Sequence, residues 1–243
     1  MIKNFIILLC FQINCQANLQ NYCTAADSKD YNALLNLIDS IHKTNLIQLG
    51  EILIFNSGLD QEQIKYLNNL KKVKVYKTEK TSSHMAFSIK QALEIVPYVL
   101  WISPDITVLK PLDALFKYIQ SNTYFLTTIG DEYTNIGYKH TLEVSPNLMH
   151  KFDLQDSSRR WILSCELINS NLMGFSKDIY NDLVLQFYEH SKETTYEQSL
   201  ITVLAYIQGR KVLRQSHNPQ LPIYLDINGE QVAFYLSSSL VFK

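Results

Sequence analysis

Asp105 is the residue of this chain whose setting most suggests chemistry. It closes a short polar step, Ser103-Pro104-Asp105, between two apolar runs, Val99 to Ile102 and Ile106 to Leu109. An apolar, β-branched and aromatic run that stops at a turn reads as a buried strand. Asp105 is therefore expected at the carboxyl edge of a sheet, where open α/β folds bind ligands. Ser103 adds a hydroxyl that can donate or accept, and Pro104 between them lacks an N–H and has a fixed φ. A second candidate is Thr24-Ala25-Ala26-Asp27, at the end of the first expected strand. Its small side chains would let a ligand approach the backbone, and Asp27 could accept a hydrogen bond from it. Asp27 could equally serve only as a cap for the helix that follows.

The elements that must position these residues alternate along the first half. Asn21 to Ala26 reads as a strand, with cap chemistry at Asp27 and Ser28. Tyr31, Leu34, Leu35, Leu37, Ile38 and Ile41 then fall on a helical stripe. Glu51 to Phe55 is a second strand, ended by the turn residues Asn56-Ser57-Gly58. Asp60 caps a helix from Gln61 to Leu70, and Val73 to Tyr76 alternates as a third strand. Thr81 to Ser83 is a polar loop, Ala86 to Val96 a helix, and Tyr98 opens the strand that delivers Asp105. Pro111 stands near the start of a helix from Leu112 to Gln120, where proline is tolerated.

Beyond that point the expectations are a strand at Tyr124 to Ile129 and a long loop from Gly130 to Met149. Arg160 to Ser164 and Leu172 to Phe175 bracket a polar turn. Lys177 to Ser191 and Glu197 to Gln208 are helical, and Lys211 to Arg214 and Val232 to Leu236 are late strands. Four strand–helix alternations imply a mostly parallel sheet with helices on both faces. With no linker or repeat, the chain reads as one α/β domain from residue 18 to 243, its carboxyl-terminal half irregular.

A chain of 243 residues that is 47% apolar and 19% charged is a folded globule, and a net charge of -1 gives no field that would draw it to nucleic acid or an anionic membrane. The short basic run Lys71-Lys72-Val73-Lys74 does not alter that. Lys3, the apolar run Phe5 to Phe11 and the small residues around Cys15-Gln16-Ala17 read as an export leader over residues 1–17. The same run could instead be a first buried element of a cytoplasmic protein; it is too short to span a bilayer. Of the cysteines, Cys10 and Cys15 would leave with such a leader. Cys23 and Cys165 would remain, more in keeping with two buried free thiols than with a disulfide. The histidines are scattered, and no zinc cluster, nucleophile elbow, phosphate-binding glycine loop or dinucleotide fingerprint is present.

The layout of Tyr98 to Leu112 resembles the Asp-x-Asp strand of GT-A-type nucleotide-sugar glycosyltransferases, family 8-like, with Ser103 where their first aspartate stands. The resemblance runs from about Asn21 to Leu236 and implies a GT-A-like fold, with a nucleotide half over residues 18–130 and an acceptor half over 131–243. It implies transfer of a sugar from a nucleotide-diphosphate-sugar donor to a hydroxyl of a carbohydrate, protein or lipid-linked acceptor, with retention at the anomeric carbon. A degenerate fold kept as a carbohydrate- or protein-binding module is the alternative.

The resemblance also assigns residues. Thr24, Ala25, Asp27, Ser103 and Asp105 would contact the donor. Lys90 would face its phosphates, against the alternative of a solvated helix lysine. Ile168-Asn169-Ser170-Asn171-Leu172-Met173-Gly174-Phe175 resembles the family's sugar-facing turn, so Asn169, Ser170 and Asn171 would meet sugar hydroxyls. Asn171 stands where glycine is usual, and asparagine tolerates positive φ. Tyr196-Glu197-Gln198-Ser199-Leu200 resembles the Asp-Gln-x-Leu helix start near the reacting centre. Gln198 would lie beneath the anomeric carbon and Glu197 beside it, although Glu197 is also favourable at a helix start on dipole grounds alone. Mn²⁺ or Mg²⁺ would sit on Asp105, but Ser103 is a poor ligand for a hard cation. The histidine that some related families supply near the carboxyl terminus is absent from Phe234 to Lys243.

Overall fold

The structure is a computed structural model. It describes residues 19–78, 84–128, 146–194, 196–213, 223–227 and 230–236. The leader, the Thr81–Ser83 loop, most of the expected 130–149 loop and Arg214 lie outside the described residues.

The first half follows the alternation. Strand β1 (Gln20–Asp27) leads to helix α1 (Tyr31–Asn45), β2 (Leu49–Gly58), α2 (Gln61–Asn68), β3 (Val73–Lys77), α3 (His84–Ile95) and β4 (Tyr98–Ile102). These four strands pair in parallel, in the order β3-β2-β1-β4. The Asn56-Ser57-Gly58 turn does not end β2 where its residue types suggest, because Asp27 pairs with Gly58 and carries the ladder to the end of β1. Asp60 starts α2 with a reciprocal capping box: its carboxylate accepts the Gln63 N–H, and the Gln63 side chain accepts the Asp60 N–H.

After β4 the chain leaves the main sheet. Short β5 (Ile106–Val108) pairs with β9 (Glu230–Leu236), which pairs with β8 (Ile223–Ile227) in a separate three-stranded antiparallel sheet. Helix α4 (Asp113–Asn122) then returns the chain to β6 (Tyr124–Phe125). The expected strand through Ile129 shrinks to these two residues, followed by single bridges from Thr127 to Leu213 and from Thr128 to Ile168. Leu213 makes only that bridge, so no strand forms at Lys211 to Leu213. Pro146 to Lys151, expected in loop, is a short helix, α5, and Arg160–Ser164 is a 3₁₀ turn. Strand β7 (Leu172–Ser176) enters the main sheet antiparallel to β4 and β6, completing the order β3-β2-β1-β4-β7-β6. The expected helix from Lys177 to Ser191 is a 3₁₀ turn (Lys177–Ile179), a π-turn (Tyr180–Val184) and α6 (Leu185–Ser191), and α7 (Glu197–Ile207) follows.

Helices cover both faces of the main sheet. Leu34, Leu37, Ile38 and Ile41 of α1 and Leu115, Phe116 and Ile119 of α4 are buried on the face that carries Tyr22, Ile52 and Leu100. Ile89 and Leu93 of α3, Phe187 of α6 and Leu200, Ile201 and Leu204 of α7 fill the opposite face with Cys23, Val99 and Phe175. The α4 crossing needs Gly174: a Cβ there would stand 2.3 Å from Ile119 Cδ1 and 3.1 Å from Phe125 Cβ. Cys23 is buried and free as expected. Cys165, also free, is only half-buried because it follows a surface 3₁₀ turn, and burial pushes its thiol up to about 11. Among the described residues no helix is long and apolar enough to cross a membrane.

Candidate functional site at the carboxyl edge of the sheet

Strand β4 is wholly buried, and the chain becomes half-exposed at Ser103, Pro104 and Asp105. The Ser103 carbonyl accepts the Ile106 N–H at 3.1 Å, making the polar step a tight turn at the carboxyl edge. The neighbouring β1 runs parallel with Cys23 level with Trp101. Both strands therefore run toward the same carboxyl edge, where Ala25 of β1 is half-buried.

The Asn169–Asn171 turn joins them from far along the chain, because β7 is antiparallel to β4 and its first residue, Leu172, pairs with Ile102. The Ser103 N–H donates to the Asn171 carbonyl at 2.9 Å, and the Trp101 indole N–H donates to the Ser170 carbonyl at 2.8 Å. The Asn169 N–H donates to Thr127 O at 2.7 Å, and Asn169 Oδ1 accepts the Asn171 N–H at 3.0 Å. Helix α7 holds the start of the turn: Gln198 Nε2 donates to Ile168 O at 2.8 Å, and the Ile168 N–H donates to Thr202 Oγ1 at 3.1 Å. Asn169 is buried, while Ser170 and Asn171 are half-exposed and keep their side chains at the surface of the edge. Ser103, Asp105, Asn169, Ser170, Asn171 and Gln198 thus lie on three segments that meet at this edge: the β4–β5 turn, the turn before β7, and α7.

Four other expected residues are engaged elsewhere. Thr24 is fully buried among core residues, with its hydroxyl left without a hydrogen bond among the described residues, so it cannot touch a surface ligand as the chain stands. Asp27 lies at the end of β1, where its carboxylate accepts the Lys29 N–H at 2.7 Å and the Asp30 N–H at 3.3 Å. It braces the turn before α1 rather than capping the helix itself, whose cap position is Asp30. Lys90 is paired with Glu94 at 2.6 Å, one turn on along α3, and stands 5.2 Å over the Tyr188 ring. Tyr180 donates to the same carboxylate at 2.8 Å. Burial lowers the affinity of Lys90 for its proton, but the Glu94 bond and charge more than offset it and the pKa is raised. Lys90 thus lies among Glu94, Tyr188 of α6 and, through Glu94, Tyr180 of the π-turn.

Glu197 is the residue whose engagement sequence patterns could not show. Its carboxylate accepts the Ala86 N–H at 2.8 Å and the Met85 N–H at 3.4 Å, so it caps α3 from the first turn of α7. One carboxylate serves two helix amino termini, each of which favours negative charge. Met85 and Ala86 precede it by more than a hundred residues, so only their shared position at this edge could have signalled the contact. The sequence shows Trp101, likewise, only as part of the apolar run Val99 to Ile102.

Among the described residues, no three His, Cys, Asp or Glu side chains come together as a metal site. Ser103, two residues before Asp105, offers a hydroxyl, which is a weak ligand for a hard cation. Among the cavities in the described residues, one of about 520 Å³ is lined by Met149, His150, Asp153, Asp156 and Arg159, and it includes none of the edge residues.

No protein-family model matches the chain, and no curated protein sequence matches it. Solved structures match it by fold. The apo structure of WbbM, a bifunctional glycosyltransferase, superposes with a TM-score of 0.53 at 12% identity over 81% of this chain. The chain spans only 38% of the length of WbbM. An active-site mutant, Q189E, of LgtC superposes with a TM-score of 0.50 at 12% identity, covering 80% of this chain and 72% of LgtC. At such identity the likeness establishes the fold alone: a mixed α/β domain of GT-A-like architecture.

Proposed function

We propose that this chain transfers a sugar from a nucleotide-diphosphate-sugar donor to a hydroxyl of a carbohydrate, protein or lipid-linked acceptor, with retention. The observation that carries the reading is the hydrogen bond from Ser103 N–H to Asn171 O, 2.9 Å, which ties the polar step to the amide-and-hydroxyl turn at one sheet edge. Open α/β sheets bind ligands at that edge. A nucleotide-sugar presents a ribose and diphosphate to one side and sugar hydroxyls to the other. Ser103 and Asp105 suit the ribose and neighbouring polar groups; Ser170, Asn171 and the Gln198 amide oxygen suit the sugar, with buried Asn169 shaping the turn that presents them. Mn²⁺ or Mg²⁺ enters this reading only as an ion carried chiefly by the diphosphate, with Asp105 as a single protein ligand. Export by the residues 1–17 leader belongs to the same proposal and would place the acceptor outside the cytoplasm.

A second reading rests on Glu197 and Ser103. The carboxylate expected beside the reacting centre caps a helix, and the first aspartate of the step is a serine, so the edge could hold a carbohydrate without turning it over.

The test is a thermal-shift screen of the full chain with UDP, GDP and their sugars, with and without Mn²⁺, followed by product analysis with any donor that binds. A ligand that binds only the folded state raises the Tm by mass action. A shift with one nucleotide class and slow donor hydrolysis or transfer support the transferase. A shift with no turnover supports the binding module. No shift with any nucleotide or nucleotide-sugar removes the donor site.

A further inference from the structure

We infer that Trp101 is a positioning residue: its buried indole N–H, on the Ser170 carbonyl, sets the Asn169–Asn171 turn for a nucleotide-sugar while leaving nucleotide binding alone. The inference rests on the donor-site reading above and adds to it a residue that has no polar group facing the ligand.

The turn is fixed group by group. The Ile168 N–H and carbonyl go to Thr202 and Gln198 on α7. The Asn169 N–H goes to Thr127 O, and its carbonyl accepts the Leu172 N–H at 3.4 Å. The Asn171 N–H and carbonyl go to Asn169 Oδ1 and Ser103 N–H. At the apex only Ser170 is left, and its carbonyl is held by Trp101 at 2.8 Å. The long 3.4 Å bond from Leu172 to Asn169 makes the apex the weakest point of the turn, so the indole there restrains what the ladder does not.

The indole suits the task because its place is over-determined. Trp101 is 6% exposed, in the core with Cys23, Val99 and Phe175, and its backbone pairs with Met173 of β7. A ring fixed in a packed core cannot follow the turn if it moves, so the bond pulls the turn to the ring. Without it the Ser170 carbonyl must find water, and the Ser170 hydroxyl and Asn171 amide lose their common orientation. Groups that meet the sugar would be displaced, whereas Ser103 and Asp105, on the continuation of β4 itself, would not.

Trp101→Phe keeps most of the ring and deletes the N–H. Amide hydrogen exchange on the ligand-free variant tests the clamp directly: faster exchange at Asn171 and Leu172, with the β4 amides unchanged, is expected. Affinity tests the consequence: the dissociation constant for the nucleotide-sugar should rise roughly three- to tenfold, the size of one net hydrogen bond, while that for the nucleotide alone stays the same. Trp161→Phe leaves Trp101 as the single tryptophan, since the chain has two. In that variant the nucleotide-sugar, but not the nucleotide, should shift the emission, an outcome that does not depend on whether Trp101→Phe folds. Unchanged exchange at Asn171 and Leu172 overturns the inference whatever binds. Equal loss of nucleotide and nucleotide-sugar affinity reduces Trp101 to a structural residue and also overturns it. Failure of the unsubstituted chain to bind any nucleotide-sugar sinks the donor site itself, and the exchange result then stands apart as a statement about the turn.

Discussion

Glu197 Oε1 accepts the backbone N–H of Ala86 at 2.8 Å, so the first turn of α7 caps the first turn of α3 across the carboxyl edge of the sheet. The carboxylate is a structural tie between two helices before it is anything else. Glu197→Ala should therefore cost stability of about 1 kcal/mol, the usual loss for a helix cap, which for a chain of this size lowers the Tm by about 2–4 °C. Glu197→Gln keeps an acceptor oxygen and should lose less than half as much. Urea unfolding of the two variants measures this. Equal stability of Glu197→Ala and the unsubstituted chain would show that the cap contributes nothing and would return Glu197 to the list of groups available for chemistry.

The Asn169–Asn171 turn makes a second, separable prediction. Ser170→Ala removes a half-exposed hydroxyl and touches none of the bonds that fix the turn, because Trp101 holds the Ser170 carbonyl and not its side chain. Stability should stay within about 0.5 kcal/mol, as for surface substitutions generally. Nucleotide-sugar affinity should fall several-fold with nucleotide affinity unchanged, as isothermal titration would report. A variant that binds the donor as tightly as before would take Ser170 out of the sugar-facing set.

The strand that leads to Asp105 is legible because its signal is local. Tyr98 to Ile102 is apolar and the polar step that follows stops it, and both facts lie within eight residues. The parallel block was legible for the same reason, since each strand and helix of that half carries its own period. What could not be read is long-range. Nothing in Leu172 to Ser176 says that the strand inserts beside β4, and it is that insertion which carries Asn169 and Asn171 to Ser103. The pairing of β5 with β9 joins Ile106 to Leu236 across more than half the chain and withdraws β5 from the main sheet. The position of Lys90 on the helix before the key strand does not show what it pairs with. Its partner is Glu94, one turn on, whose carboxylate also accepts from Tyr180, far along the chain.

His190 gives the chain a pH dependence of known sign. Its ring lies edge-on to Phe152 with centroids 5.0 Å apart. Burial holds its pKa below the ordinary value, and the Lys151 charge adds to this while Glu193 and Glu189 pull the other way. The folded state thus binds the proton less readily than the unfolded chain, whose histidine titrates near 6.5. Stability is complete above that value and falls as pH drops through it, flattening once the folded form is protonated too. Urea midpoints taken from pH 8 down to about 5, above the main carboxylate range, should decline, and His190→Phe should remove part of the decline. An identical slope in the variant would assign the pH dependence to other groups.

Ser103→Asp asks whether the scaffold at the carboxyl edge still fits a divalent ion. The residue is half-exposed, and the bond that ties it to Asn171 comes from its backbone N–H, so a carboxylate can replace the hydroxyl without loosening the turn. Two carboxylates flanking Pro104 repel each other when no cation is bound, so the variant alone should be slightly less stable and should bind UDP more weakly than the unsubstituted chain. With Mn²⁺ present the repulsion becomes coordination, and UDP affinity should rise about tenfold, the scale of one added charge-assisted contact. The unsubstituted chain, with Asp105 alone, should respond to Mn²⁺ by less than about threefold, a fraction of one such contact. Titration of both forms with UDP, in EDTA and in Mn²⁺, separates the cases. A gain confined to Ser103→Asp means that the edge keeps the geometry of a metal-assisted donor site and lacks one ligand. No gain in the variant means that Asp105 and residue 103 diverge at the Pro104 turn, and that the diphosphate charge, if a donor binds here, is met by other groups of the chain.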